Sequence, residues 1–261
     1  MSESADILLR SDEDAIATLT LNRVEARNAL SMDLMAALID ELNAVARDPA
    51  VKVVVLAANG PAFCAGHDLR ELKSNPTAEA YEAVFQRCAQ LMLTITRCPK
   101  PVIAKVHAMA TAAGCQLVAT CDLAIASESA KFATPGVNIG LFCSTPMVAL
   151  TRAVGRKAAM EMLLTGGAIH SDEAARIGLV NRVVNPTQLD KAVEDLAGTI
   201  ASKSPYTLAV GKEAFYRQAE MGLDEAYGYA SAVMVKNMLA QDAQEGIDAF
   251  ISKRHPVWKG C

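Results

Sequence analysis

Few side chains in this sequence are placed to do chemistry unaided. His67 is the foremost: an imidazole titrates near pH ~6.5 and can act as acid or base close to neutrality, but this reads second to a role for its main-chain amide alone. It lies in the run Gly60-Pro-Ala-Phe-Cys-Ala-Gly-His-Asp-Leu-Arg-Glu-Leu72. Its neighbour Asp68 reads as a brace for the loop or a cap for the helix that follows. Cys115 and Cys143 stand in apolar surroundings with no neighbouring base or cation to make a thiolate, so they read as packing residues. Ser144, with Pro146 just behind it, reads first as a helix N-cap and second as a nucleophile. There is no Gly-x-Ser-x-Gly elbow, no His-x-x-x-His or Cys-x-x-Cys spacing, and no Gly-x-Gly-x-x-Gly or Walker loop. Metal ions, redox cofactors and nucleoside triphosphates are therefore not expected. Asp122 reads as structural, at the start of a strand.

The elements that must position these residues follow from hydrophobic periodicity. Residues 16–21 alternate as a strand, and Ser31 precedes a helical stripe of Met35, Leu38, Leu42 and Val45. Residues 51–57 form a β-branched run between Asp48-Pro49 and Asn59-Gly60-Pro61, which predicts a strand buried on both faces. A helix over 79–97 stops at Cys98-Pro99; a strand over 102–106 leads into a small-residue turn at 108–114, and 122–126 closes a third cycle. Repeated strand–helix cycles predict an α/β core of parallel strands with right-handed crossovers. After Pro146 helices are predicted over 147–154, 156–164, 172–177, 189–202, 205–220, 223–239 and 243–254, with one strand-like piece at 179–184. Such an amphipathic extension is expected to pack on another subunit or back over the site.

Composition narrows the functional class. The chain has 261 residues, 52% hydrophobic and 21% charged, with a formal net charge of -4, enough to bury one large core and with no basic footprint for nucleic acid. Seven cysteines, an odd number in apolar context, read as reduced buried thiols. The acidic, polar N-terminus carries no targeting pattern, and no apolar run reaches the ~18 residues of a membrane span. A cytoplasmic protein, without membrane or nucleic-acid partners, is expected.

The run from Gly60 to Leu72 resembles the first signature of the enoyl-CoA hydratase/isomerase (crotonase) family, and Ala112-Ala-Gly-Cys-Gln-Leu-Val-Ala-Thr-Cys-Asp122 resembles its second. Further matches are Asn22-Arg23 with Arg27-Asn28-Ala29-Leu30, Lys131-Phe-Ala-Thr-Pro135, Leu164-Thr-Gly166, Glu173-Ala174 with Gly178-Leu-Val-Asn181, and Glu245-Gly246 with Ala249-Phe250. The resemblance implies a crotonase-like (ClpP/crotonase) α/β spiral of ββα repeats with a helical C-terminal region. It implies an acyl-CoA-binding core over 1–200 and a helical extension over 201–261 that closes the site and assembles a homo-oligomer, a trimer or dimer of trimers.

For the site, the resemblance implies an oxyanion hole made by the backbone N–H groups of His67 and Ala113, which would stabilise the enolate of a thioester. Small residues at 110–114 would let the substrate approach the backbone. The family's two acid/base glutamates correspond to Gln116 and Gly136, neither of which can titrate near neutrality. This pattern resembles enoyl-CoA hydratase domain-containing proteins that lack both glutamates. Gly-His-Asp-Leu also resembles the methylmalonyl-CoA decarboxylase branch, whose tyrosine has no counterpart in Gly140-Leu-Phe-Cys143. Ala65, Gly66, Asp68, Leu69 and Gly114 are expected to line the acyl-CoA site, with Arg27, and Lys253 or Arg254, meeting the phosphates. Coenzyme A would enter as part of the substrate, with no permanently bound cofactor. The expected activity is enoyl-CoA hydratase/isomerase-like with weakened hydration; decarboxylation, thioester hydrolysis and non-catalytic acyl-CoA binding are the alternatives.

Overall fold

A computed structural model describes residues 6–261. The chain runs through β1 (Leu8–Glu13), β2 (Ile16–Leu21) and α1 (Met32–Arg47); β3 (Val53–Ala58), β4 (Ala62–Cys64), α2 (Leu69–Ser74) and α3 (Ala78–Arg97); and β5 (Val102–Val106), β6 (Met109–Thr111) and α4 (Ala113–Thr120). It continues through β7 (Leu123–Ser127), β8 (Lys131–Ala133), α5 (Ser144–Ala153), α6 (Arg156–Thr165), β9 (Ile169–His170), α7 (Ser171–Arg176) and β10 (Arg182–Val184). The helices α8 (Leu189–Ala201), α9 (Pro205–Gln218), α10 (Leu223–Met238) and α11 (Gln241–Ile251) complete it.

From β3 onward each ββα repeat sends its first strand to a large sheet and its second to a small one. The large sheet runs β1-β2-β3-β5-β7-β10 and the small one β4-β6-β8-β9. Pairing is parallel except at β1–β2 and β8–β9. The alternation of ββα repeats between two sheets, and the parallel core, agree with the sequence expectation.

The double burial of β3 has a direct cause. Val54 and Leu56 face the main core, with Leu34, Leu38, Leu91 and Leu117, while Val53 and Val55 face a second cluster under α8, with Leu189, Val193 and Ala197. A strand covered on both faces has no polar side, so alternation disappears. Helix α1 is fixed at its start by Ser31, whose side chain accepts from Leu34 N, and buries the stripe Leu34, Met35, Leu38, Ile39, Leu42 and Val45.

Four expectations need correction. The small-residue turn at 108–114 contains β6, paired with β4 and β8, and then the first turn of α4. The strand foreseen over 179–184 shortens to Arg182–Val184. Ser144 is not an N-cap: Cys143 occupies that position and Ser144 is the first helical residue, its hydroxyl donating to the Phe142 carbonyl. Of the cysteines, six are buried but Cys261 is exposed. Asp122 does have a structural place, accepting from Val102 N, Lys212 Nζ (2.6 Å) and Tyr216 Oη, and so ties α9 to the strand β5.

Candidate functional site

Two tight backbone approaches build the site. Gly114, in the first turn of α4, leaves no space at all: a Cβ there would lie 2.2 Å from the Cys64 carbonyl oxygen. The helix start therefore abuts the end of β4. Gly66, at φ +93°, sits against the same turn, and a Cβ on it would come within 2.8 Å of Ala112 Cβ and 3.3 Å of Ala113 N. Only glycine satisfies both the positive φ and the contact. These two glycines bring Ala65–His67 beside Ala112–Ala113, as the two separated sequence runs require.

Among the described residues, neither the His67 amide nor the Ala113 amide has an acceptor. The first main-chain bond of α4 is Gln116 N to Ala112 O, so Ala113 N–H, at the helix N-terminus, has no intrahelical partner, and His67 N–H donates to no backbone carbonyl. Ala112 adopts φ 52°, ψ −119°, a conformation costly for a residue with a Cβ. It forms the corner that turns β6 into α4 and leaves the Ala113 amide unpaired.

The His67 ring meets Phe85 of α3 edge-on, centroids 5.4 Å apart, and neither ring nitrogen has a hydrogen-bond partner among the described residues. Burial pushes this imidazole below its ordinary value, with the Leu30 main chain offsetting part of the effect. Asp68 does both things foreseen for it: Oδ1 accepts from the Arg70 and Glu71 amides at the start of α2, and Oδ2 accepts from Arg23 (2.9 Å). Its burial would raise the carboxyl, but Arg23 and those amides outweigh this and hold it below the usual carboxylate range.

Gln116 is 4% exposed, and its Oε1 accepts from the Cys88 thiol at 3.7 Å. Gly136 lies in a tight turn, Pro135–Ile139, and the chain folds back over it: a Cβ at 136 would stand 2.7 Å from Leu141 O and 2.9 Å from Cys143 Sγ. No larger residue fits there without moving the 140–143 segment. The Cys64, Cys88 and Cys115 thiols are pushed up to about 12 by burial, and Cys143 is raised for the same reason. None is a ready nucleophile.

Of the candidate phosphate ligands, Arg27 is exposed at φ 50°, and its carbonyl accepts from Ala65 N, so its backbone adjoins the site. Arg254 is committed to Glu245, whereas Lys253 is exposed beyond α11. Leu69 opens α2 and is 55% exposed. Sequence reasoning overlooked the roles of Arg23, which reaches Asp68 and the Ala29 carbonyl, and of Asn28, fully buried and donating to Asn59 O and Ala62 O. Both lie in quoted motifs, but only the fold shows what they touch.

The family model for enoyl-CoA hydratase/isomerase matches residues 11–261. The chain belongs to the enoyl-CoA hydratase/isomerase family. Within it, the chain is 48% identical over 246 residues to the rat "Enoyl-CoA hydratase domain-containing protein 3, mitochondrial", covering 94% of this chain and 82% of that one. A crystal structure of an enoyl-CoA hydratase of Mycobacterium smegmatis superposes with TM-score 0.95 at 53% identity, covering 97% and 99% of the two chains. The human enoyl-CoA hydratase domain-containing protein 3 superposes with TM-score 0.94 at 45% identity, over 97% and 100%. Among the described residues no helix is long and apolar enough to cross a membrane, and no group of three or more His, Cys, Asp or Glu could hold a metal ion.

Proposed function

We propose that this enoyl-CoA hydratase/isomerase family member binds acyl-CoA thioesters and stabilises the thioester enolate between the His67 and Ala113 amides. The observation that carries this reading is the juxtaposition of the two unpaired N–H groups by Gly66 and Gly114. As C2 loses a proton or a carboxyl group, negative charge moves to the thioester oxygen. Fixed amide dipoles stabilise that charge without having to reorganise, and each is worth roughly 10²- to 10³-fold in rate.

Hydration is a weak activity on this reading. Adding water across a conjugated double bond needs one group to activate the water and another to protonate C2, each contributing about 10²- to 10⁴-fold. Gln116 is an amide, and the place beside Gly136 is filled by Leu141 and Cys143. Decarboxylation of a malonyl-type thioester needs less acid/base help, because carbon dioxide leaves with no base to remove a proton; this favours it as the second reading. Arg27 and Lys253 are the proposed phosphate contacts, Ala65, Gly66, Leu69 and Gly114 the proposed lining. Coenzyme A enters only with the substrate. Exposed apolar residues along α10 and α11, among them Leu223, Tyr227, Val235, Met238 and Phe250, support assembly with further copies of the chain. The rat relative is mitochondrial by name, whereas the sequence reading for this chain is cytoplasmic.

Loss of the conjugated-thioester absorbance of crotonyl-CoA tests the assignment. The expected rate is at least ~10²-fold below that of a family hydratase bearing both glutamates. Hydration at the full hydratase rate would contradict the assigned loss of acid/base function.

A further inference from the structure

His67 carries its amide in a short stretch between β4 and α2, and that stretch is held from outside by the segment 23–30. Leu30 N donates to Gly66 O at 2.7 Å, and Asp68 N donates to Leu30 O at 3.3 Å, so one residue of the segment brackets His67 on both sides. The Ala65 amide donates to Arg27 O. One cation reaches both strips of chain. Arg23 donates through Nη1 to the Ala29 carbonyl, next to Leu30, and through Nη2 to Asp68 Oδ2 at 2.9 Å, next to His67.

The surroundings make this clamp stiff. The two side chains are only 22% and 15% exposed, so water competes weakly for the pair. The carboxylate is fixed at its other oxygen by the start of α2. A guanidinium fork can donate in two directions from one plane, which a lysine ammonium on a flexible stem does less rigidly. Ala113 belongs to the opposite wall and is fixed by β6, α4 and the Gly114–Cys64 approach. The separation between the two amides is therefore set on the His67 side by the clamp.

We propose that Arg23, acting through Asp68 and the Ala29 carbonyl, is the positioning residue for the His67 amide donor. The proposal rests on the reading of that amide as half of an oxyanion hole. Arg23 touches no reacting atom, so its loss alters how well developing charge is stabilised more than how well the coenzyme A portion is held. Displacement of a catalytic donor by about 1 Å can cost ~10²-fold.

Acetoacetyl-CoA ionises to an enolate with its own ultraviolet band, so the enolate fraction bound to the protein reads the hole directly. Wild type, Arg23→Met, and Asp68→Asn, which keeps an oxygen to cap α2, would be titrated with acetoacetyl-CoA and separately with free coenzyme A. The expected result is an enolate-to-keto ratio at least ~10-fold lower in each variant. Affinity of Arg23→Met for free coenzyme A should stay within about threefold, and circular dichroism should not change in either variant. The Arg23→Met, Asp68→Asn double variant should be no worse than the poorer single one, because both remove the same contact. An unchanged enolate ratio in the variants would overturn the proposal, as would a fall in which free coenzyme A binding and folded structure are lost in parallel. Absence of the band from wild type at saturation would overturn the oxyanion reading itself, and the positioning role with it.

Discussion

At the scale of single residues, the candidate site is a meeting of main-chain segments, and the sequence expressed it through the residues that let the main chain approach itself. Gly66 and Gly114 were legible because no side chain fits where their backbones meet Ala112 and Cys64. The strain at Ala112 was not legible, since alanine advertises nothing about φ, nor was the filling of the space beside Gly136 by Leu141 and Cys143. His67 shows the limit in another way: the sequence left open its amide first and its side chain second, and the ring is buried against Phe85 with no hydrogen-bond partner among the described residues. The unfolded imidazole titrates near ~6.5 and the folded one lower, so below that pH the unfolded chain binds more protons and stability falls as pH drops. Urea unfolding at pH 7.5 and 5.5 should show wild type losing more stability than His67→Gln across this interval. Equal losses would mean the ring is not held neutral.

At the scale of elements, long periodic segments were read well and three-residue strands were not. Helix α1 advertised itself by its cap and stripe, and β3 and β5 by β-branched runs. The small sheet was missed because β4, β6 and β8, at three residues each, are too short to show a period, and β1 because it is an edge strand rich in polar residues. The link between α9 and the core also depends on pairing across long sequence distance. Lys212 and Asp122 side chains are only 7% and 15% exposed, and Lys212 also donates to Ile95 O and Lys100 O. Tyr216 shares the carboxylate, and burial together with Asp122 raises its hydroxyl above the ordinary value. Lys212→Met strands a buried carboxylate and should cost about 3–5 kcal/mol in urea unfolding. Adding Asp122→Asn, which removes that charge but keeps an acceptor for Val102 N, should recover part of the loss. A single-variant cost below about 1 kcal/mol would show that the pair does not anchor α9.

At the scale of the whole molecule, a spiral of ββα repeats places the ends of β4 and β6 side by side in one small sheet, and α2 and α4 start from those ends. This is why two runs about forty-five residues apart in sequence share one site. The family was legible from those runs, and the reaction was not, because Gln116 and Gly136 stand where the resemblance leads one to expect the glutamates that move protons. The central claim is thus charge stabilisation by His67 and Ala113, and it is independent of which substrate the protein turns over. The most direct measurement is the ultraviolet spectrum of acetoacetyl-CoA bound to wild type and to Ala113→Pro. Proline at the first position of a helix needs no N–H and suits the helical φ, so the variant removes one donor at small cost to α4; circular dichroism and thermal unfolding check that it folds. The account predicts an enolate band on wild type and at least ~10²-fold less enolate, relative to keto form, on the folded variant. A ligand that binds wild type wholly in its keto form, or an enolate band that survives in Ala113→Pro, would contradict it.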